Sequence, residues 1–191
     1  MSKQPRIDQP APPPDDTPAD GAQRASRRIV SSEHLVSDRA AELSEFEFGL
    51  IISWHAFSRW MVRCMQAVGL EDVNALDVLV LHTCNHKQRE KRLADICFTL
   101  NVEDTHTVSY SLKKLEKFEL VHRTKRGKEV WFATTQRGAD ACTGYRQVRE
   151  DCLVTSFETM GLATKDIGDL AGKLRALSGL YGQAARAATV L

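Results

Sequence analysis

The sequence predicts a mainly α-helical protein that carries one small β-hairpin. All six prolines fall at or before Pro18, so the chain from Ala19 to Leu191 lacks the commonest helix breaker. Apolar residues recur at helical spacing in several long segments of this proline-free region. One segment around Gly127 instead has two β-rich runs on either side of a turn, which is typical of paired strands.

The first segment with helical spacing, Glu45 to Val68, follows a capping-box pattern at Ser44 and Glu47. It carries a wide apolar stripe, which favours contact with a second chain as well as with its own core. The members of the stripe are Phe46, Leu50, Ile51, Trp54, Phe57, Trp60, Met61, Cys64, Met65 and Val68.

Five further helices are predicted from caps and apolar spacing. Asn74 begins one that ends near Asn85, a short one spans Leu93 to Leu100, and Asp104 caps a third up to about Phe118. Thr135 begins the next helix, which extends to about Met160. A last helix begins near Thr164 and runs toward the C-terminus, and the charged segment from His86 to Arg92 is expected to be a surface connection.

The order in the middle of the chain predicts a winged helix-turn-helix. Strands over residues 121–125 and 130–133 follow the third of these helices, with cations at the turn between them. Between Lys87 and Arg137 twelve cationic side chains stand against seven anionic ones, although the whole chain has a net charge of only +1. A helix that fits the major groove, followed by a cationic hairpin, indicates binding to double-stranded DNA.

The same region resembles the MarR family of transcriptional regulators. Thr107-Val108-Ser109 through Leu115-Glu116-Lys117 to Leu120-Val121 is similar to the family's recognition helix and its exit. Val130 to Gly138 resembles the second wing strand and the T-x-x-G start of the next helix. The resemblance implies a mainly α fold, a winged helix-turn-helix with long N- and C-terminal dimerisation helices and a small β-hairpin wing.

Residues 1–37 are rich in Pro, Asp, Gln and Ser and have almost nothing to bury, so they are expected to be a disordered tail. The remaining residues, 38–191, are expected to form a single winged-helix domain. Within that domain, residues 93–134 are the helix-turn-helix plus wing, and residues 44–69 and 135–191 are dimerisation helices. The predicted DNA-binding residues are His106, Thr107, Ser109, Tyr110, Lys113, Lys114, Arg123, Lys125, Arg126 and Lys128.

The implied function is a cytoplasmic, sequence-specific DNA-binding regulator, a homodimeric repressor that a small-molecule effector or an oxidant releases from its operator. Three features depart from the family pattern. Tyr110 stands where many members have an arginine, Glu119 replaces the glycine that usually ends the recognition helix, and the short wing lacks the usual acid–arginine brace.

Several residues allow a second interpretation. His82 and His86 are a weak metal pair at helical spacing, which would make a zinc-responsive regulator, but a histidine-rich helix end is the favoured interpretation. The cysteines Cys64, Cys84 and Cys97 are either oxidation sensors or, as we favour, buried thiols. Trp54, with His55 and Arg59, either contacts an effector or packs in the core and the dimer interface.

Other functional classes find little support in the sequence. No phosphate-binding loop, nucleophile elbow or paired-carboxylate motif indicates an enzyme, and no cofactor is implied. No apolar run of about 20 residues predicts a membrane span. Five cysteines without C-x-x-C spacing favour reduced thiols in the cytoplasm. The alternative that remains is a winged-helix module that binds another protein.

Overall fold

The computed structural model describes residues 40–161 and 164–191. The predicted disordered tail, residues 1–37, lies outside this range. The helices are α1 (Ala41–Ala67), α2 (Ala75–Asn85), α3 (Leu93–Leu100), α4 (Thr105–Lys117), α5 (Gln136–Arg149), α6 (Thr155–Thr159) and α7 (Thr164–Ala188). The strands are β1 (Lys91–Arg92), β2 (Val121–Arg126) and β3 (Glu129–Thr134).

The predicted fold class is confirmed, since helices dominate and the strands form one small antiparallel sheet in the order β1-β3-β2. The hairpin pairs Val121 with Thr134 and Arg126 with Glu129. The third strand was not predicted: Lys91 and Arg92 pair with Phe132 and Trp131 of β3.

The described chain divides into two units, with the boundary inside α1, between Ile52 and Ser53. The hydrophobic core belongs to the second unit. Apart from Leu120, its largest fully buried side chains come from α1, α2, α3 and α4, and they include Met61, Met65, Leu81, Ile96, Leu112 and Leu115. The recognition helix of the sequence analysis therefore has its inner face anchored in the core.

Local signals explain where the central helices begin. The Asn74 side chain accepts a hydrogen bond from the backbone N–H of Asp77, and the Asp77 carboxylate accepts one from the N–H of Asn74, both at 2.9 Å. This is the reciprocal capping box that starts α2. By contrast, the capping box expected at Ser44 is wrong, because α1 begins at Ala41 and Ser44 lies buried within it.

The junction between the hairpin and α5 is closely packed. Thr135 caps α5 by accepting a hydrogen bond from the N–H of Gly138, and its hydroxyl donates to the carbonyl of Glu119 at 2.6 Å. A Cβ at Gly138 would overlap the backbone oxygen of Leu120. The T-x-x-G motif thus joins the end of α4 to the start of α5.

The predicted helix from Thr135 to Met160 is helical from Gln136 to Thr159, but its hydrogen-bond pattern changes along its length. A π-helical turn, Glu150–Val154, separates α5 from α6. The last helix, α7, begins at Thr164. No helix in the described ranges is long and apolar enough to cross a membrane.

Candidate nucleic-acid interface

The recognition helix α4 presents a polar face outward from a capped N-terminus. The Asp104 carboxylate accepts a hydrogen bond from the backbone N–H of His106 at 2.9 Å, and the Thr107 hydroxyl donates to the Asp104 carbonyl at 2.8 Å. The inner face, which includes Val108, Leu112 and Leu115, is buried. The exposed residues of the outer face are His106, Thr107, Tyr110 and Lys113, and Ser109 is half-buried beside them.

The wing is a hairpin with a two-residue tip, Gly127 and Lys128. Gly127 has a φ of 62°, and a glycine with positive φ at the first of two turn positions is typical of a type II′ turn. The adjacent cations Lys125 and Lys128 are both exposed. The wing therefore carries positive charge at its tip.

A groove of about 490 Å³ lies between α3, α4 and the wing. Its apolar lining residues include Leu93, Leu112 and Phe132, and its charged ones are Arg92, Lys113, Glu116, Arg123 and Glu129. The groove brings the predicted residues Ser109, Lys113 and Arg123 onto one surface, although they come from two different elements.

Arginine–carboxylate pairs brace the wing. Arg92 pairs with Glu129 at 3.2 Å, and Arg126 pairs with Glu90 at 2.5 Å. Both guanidinium groups also lie near the Trp131 ring, at 5.4 and 5.8 Å from its centroid. Arginine–carboxylate pairs thus brace this wing, although the family's usual acid–arginine pattern is absent from its sequence.

The arginines of the wing are less available than its lysines. Arg126 pairs with Glu90, and Arg123 pairs with Glu116 of α4 at 3.4 Å. Within the described ranges no ion pair is formed by Lys113, Lys125 or Lys128. Because an unpaired surface cation can neutralise a phosphate without first leaving a carboxylate, these lysines are the better candidates for phosphate contacts.

Lys114 is placed differently from its neighbour Lys113. Its side chain is only 23% exposed, and its ammonium group lies 2.8 Å from the buried carboxylate of Asp77. The roles of Asp77, Arg92 and Trp131 at this site were not predicted from the sequence. The identifiable signal for Asp77 is its position in the capping box, which explains the helix start but not the contact with α4.

The two histidines that were weak candidates for a metal pair do not share a helix face. His86 lies beyond the end of α2 with an extended backbone, and the His82 ring packs edge-on against Tyr145 with 4.6 Å between ring centroids. Among the described residues no group of three or more histidine, cysteine or acidic side chains is arranged to hold a metal ion. The helix-face interpretation of these histidines is therefore wrong.

The favoured interpretation of the cysteines as buried thiols is confirmed for Cys64, Cys84 and Cys97, which are all buried. Burial raises the pKa of Cys84 to about 12 and that of Cys142 to about 12, so both stay protonated near neutral pH.

Trp54 of α1 is 49% exposed, so its expected packing in the core is wrong. Its place in a dimer interface stays a prediction.

Comparison with known proteins agrees with this geometry. Residues 73–138 match the family model of the winged helix DNA-binding domain. A MarR variant from E. coli, solved in complex with operator DNA, is 18% identical, with 74% of this chain and 99% of that chain covered and a TM-score of 0.59. The chain has the MarR fold.

Two other solved structures share the MarR fold. NMB1585, a MarR family regulator from Neisseria meningitidis, is 17% identical, with 75% of this chain and 95% of that chain covered and a TM-score of 0.58. CouR from Rhodococcus jostii RHA1, bound to p-coumaroyl-CoA, is 15% identical, with coverage of 69% and 90% and a TM-score of 0.58. No curated protein matches the sequence.

Proposed function

We propose that this protein is a homodimeric, sequence-specific DNA-binding regulator that represses transcription by occupying its operator. The observation that carries the proposal is the surface formed by the outer face of α4 and the tip of the wing. A capped helix with exposed hydroxyl, imidazole and ammonium groups stands beside a cationic hairpin, and this combination suits a major groove and the adjacent backbone.

The proposed contacts divide by chemistry. Thr107, Ser109 and Tyr110 have short or aromatic hydroxyl side chains near the start of α4, where they would reach base edges. His106 and Lys113 flank them. At the wing, Lys125 and Lys128 would contact phosphates directly. Arg123 and Arg126 would first have to break their ion pairs with Glu116 and Glu90.

The dimer is supported by the exposed apolar residues of α1 and α7. No residue of α7 is buried within the described part of the chain, although the helix has 25 residues. Its exposed apolar side chains Ile167, Leu170 and Leu174 recur at spacings of three and four. Together with Trp54 and Phe57 of α1, they form apolar faces that a second copy would cover.

Three solved structures support the regulatory part of the proposal. The E. coli MarR variant is complexed with operator DNA, AbfR is bound to DNA in its reduced form, and CouR is bound to p-coumaroyl-CoA. By analogy with CouR, we propose that a small-molecule effector controls the repressor. A regulator of this type, rather than an enzyme, would act in the cytoplasm, where its DNA lies.

The salt dependence of DNA binding tests the proposed contacts. The salt slope is the magnitude of the fall in log K per unit of log salt concentration, and each phosphate contact adds about 0.9 to it. The triple variant Lys113→Ala, Lys125→Ala, Lys128→Ala should therefore lower the slope by about 3 per protomer, measured by fluorescence anisotropy with duplex DNA. The matched variant Lys165→Ala, Lys173→Ala, Arg175→Ala removes the same charge from α7 and should leave the slope unchanged.

Two outcomes would oppose the proposal. Equal slopes for the two triple variants would show that the face of α4 and the wing does not bind phosphates. Absence of DNA binding at low salt, where phosphate contacts are strongest, would favour the alternative of a winged-helix module that binds another protein.

A further inference from the structure

We infer that Asp77 is a positioning residue, which sets the orientation of the recognition helix through Ser111 and Lys114, and that Lys114 does not contact DNA. This inference rests on the proposed function, because it concerns how α4 is presented to DNA. It reassigns one of the predicted DNA contacts to the interior of the protein.

The Asp77 carboxylate is buried and accepts three hydrogen bonds. Its side chain is 1% exposed, and one oxygen accepts from the Asn74 backbone N–H at 2.9 Å and from the Lys114 ammonium at 2.8 Å. The other oxygen accepts from the Ser111 hydroxyl at 2.7 Å. A buried carboxylate is tolerated only when it is paired and hydrogen-bonded, and here both conditions are met.

Two of the three donors belong to α4 and lie three residues apart, so they share one face of that helix. The apolar contacts of Val108, Leu112 and Leu115 hold α4 against the core, but hydrophobic burial has no directional preference. Hydrogen bonds, by contrast, are directional, because the donor and the acceptor must be aligned. The two bonds to Asp77 therefore fix both the rotation of α4 about its axis and its position along α2.

The rotation of α4 decides which side chains face DNA. Consecutive residues of a helix point about 100° apart. With Ser111 and Lys114 turned toward Asp77, Tyr110 and Lys113 are turned toward solvent. Two consecutive lysines thus have opposite roles: Lys113 is exposed and free to meet phosphate, whereas the ammonium of Lys114 neutralises a buried carboxylate.

The test compares Lys113→Met with Lys114→Met on duplex DNA, by salt titration and by the ratio of specific to non-specific affinity. Lys113→Met should lower the salt slope by about 1 per protomer. Lys114→Met should leave the slope unchanged and lower the specificity ratio about tenfold, the value of one misplaced base contact. A reduced slope for Lys114→Met would overturn the inference.

Because Lys114→Met leaves a buried charge unpaired, it also destabilises the fold. The double variant Asp77→Asn, Lys114→Met removes both charges and keeps an amide that can bond Ser111. It should unfold at a higher temperature than Lys114→Met alone and keep the unmodified protein's salt slope. A double variant that is no more stable than Lys114→Met would show that the two groups are not coupled, and would also overturn the inference.

Failure of the proposed function gives a different result. In that case the unmodified protein would bind no DNA at low salt, and the recognition role of Asp77 would fall with it. Failure of the inference alone would leave DNA binding intact. It would change only which of the two lysine variants lowers the salt slope.

Discussion

His82 is a histidine of α2 whose ring lies against Tyr145 of α5. Within the described residues its Nε2 atom is buried and has no hydrogen-bond partner. Burial lowers the pKa of His82 below its ordinary value, because the charged imidazolium is poorly solvated there. The folded protein therefore prefers the neutral ring.

The sign of the resulting pH dependence follows from proton linkage. As the pH falls below about 6.5, the unfolded chain takes up a proton at this position before the folded protein does, so folding becomes less favourable. Above that pH both states carry the neutral ring and His82 adds no pH dependence. Urea unfolding from about pH 8 to about pH 5.5 should show the free energy of unfolding falling with acidification.

The variant His82→Phe keeps an aromatic edge against Tyr145 and removes the titrating group, so it should show a weaker loss of stability in acid. The control His55→Gln removes an exposed histidine of α1 and should keep the full loss. Equal acid sensitivity of His82→Phe and the unmodified protein would contradict the assignment to His82.

At the scale of single elements, helices with strong local caps are predictable from sequence. Asn74 and Asp104 each begin a helix at the expected residue, because a short polar side chain satisfies the first free N–H groups. The bounds of α3 are also as predicted. These signals are local, so neighbouring elements do not change them.

Other features depend on contacts that the sequence does not display. β1 has only two residues, Lys91 and Arg92, and exists because β3 offers an edge for pairing. The wing's brace joins residues distant in sequence, such as Arg92 and Glu129. For the same reason Lys114 was predicted to bind DNA: it follows Lys113 in a basic helix, and only the fold shows the buried Asp77 carboxylate 2.8 Å from its ammonium group.

Glu119 shows a further limit of sequence reasoning. It follows α4 with a φ of 58°, a left-handed conformation that glycine adopts more readily. The sequence shows only that the usual glycine is missing. The structure shows that the backbone nevertheless keeps the conformation of a helix C-terminus, with the Leu120 N–H donating to the carbonyl of Leu115 at 2.9 Å.

Two glycine substitutions test the packing of elements. Gly138→Ala places a methyl group against the Leu120 backbone, so it should lower the free energy of unfolding by about 1–3 kcal/mol. Gly168→Ala on α7 meets nothing within 4 Å and should raise it by about 0.5–1 kcal/mol, because alanine favours the helix. Chemical denaturation measures both, and a neutral Gly138→Ala would contradict the described junction.

At the scale of the whole molecule, the exposed apolar stripe of α7 predicts self-association. The variant Leu170→Glu, Leu174→Glu places two charges on that stripe, so it should shift the protein to a monomer in sedimentation velocity. The control Lys165→Gln, Gln183→Glu makes the same change in net charge on the opposite face of α7. It should remain a dimer. Two variants with the same oligomeric state would contradict the proposed interface.

The central claim is that one dimer reads a specific duplex through α4 and the wing, and selection of binding sites from random duplex DNA tests it most directly. The unmodified protein should enrich a two-fold symmetric site with half-sites about one helical turn apart. The variant Ser109→Ala, Lys113→Ala, which leaves the core residues of α4 untouched, should lose that enrichment. Absence of any enriched sequence at low salt, or enrichment that survives in the variant, would contradict the claim.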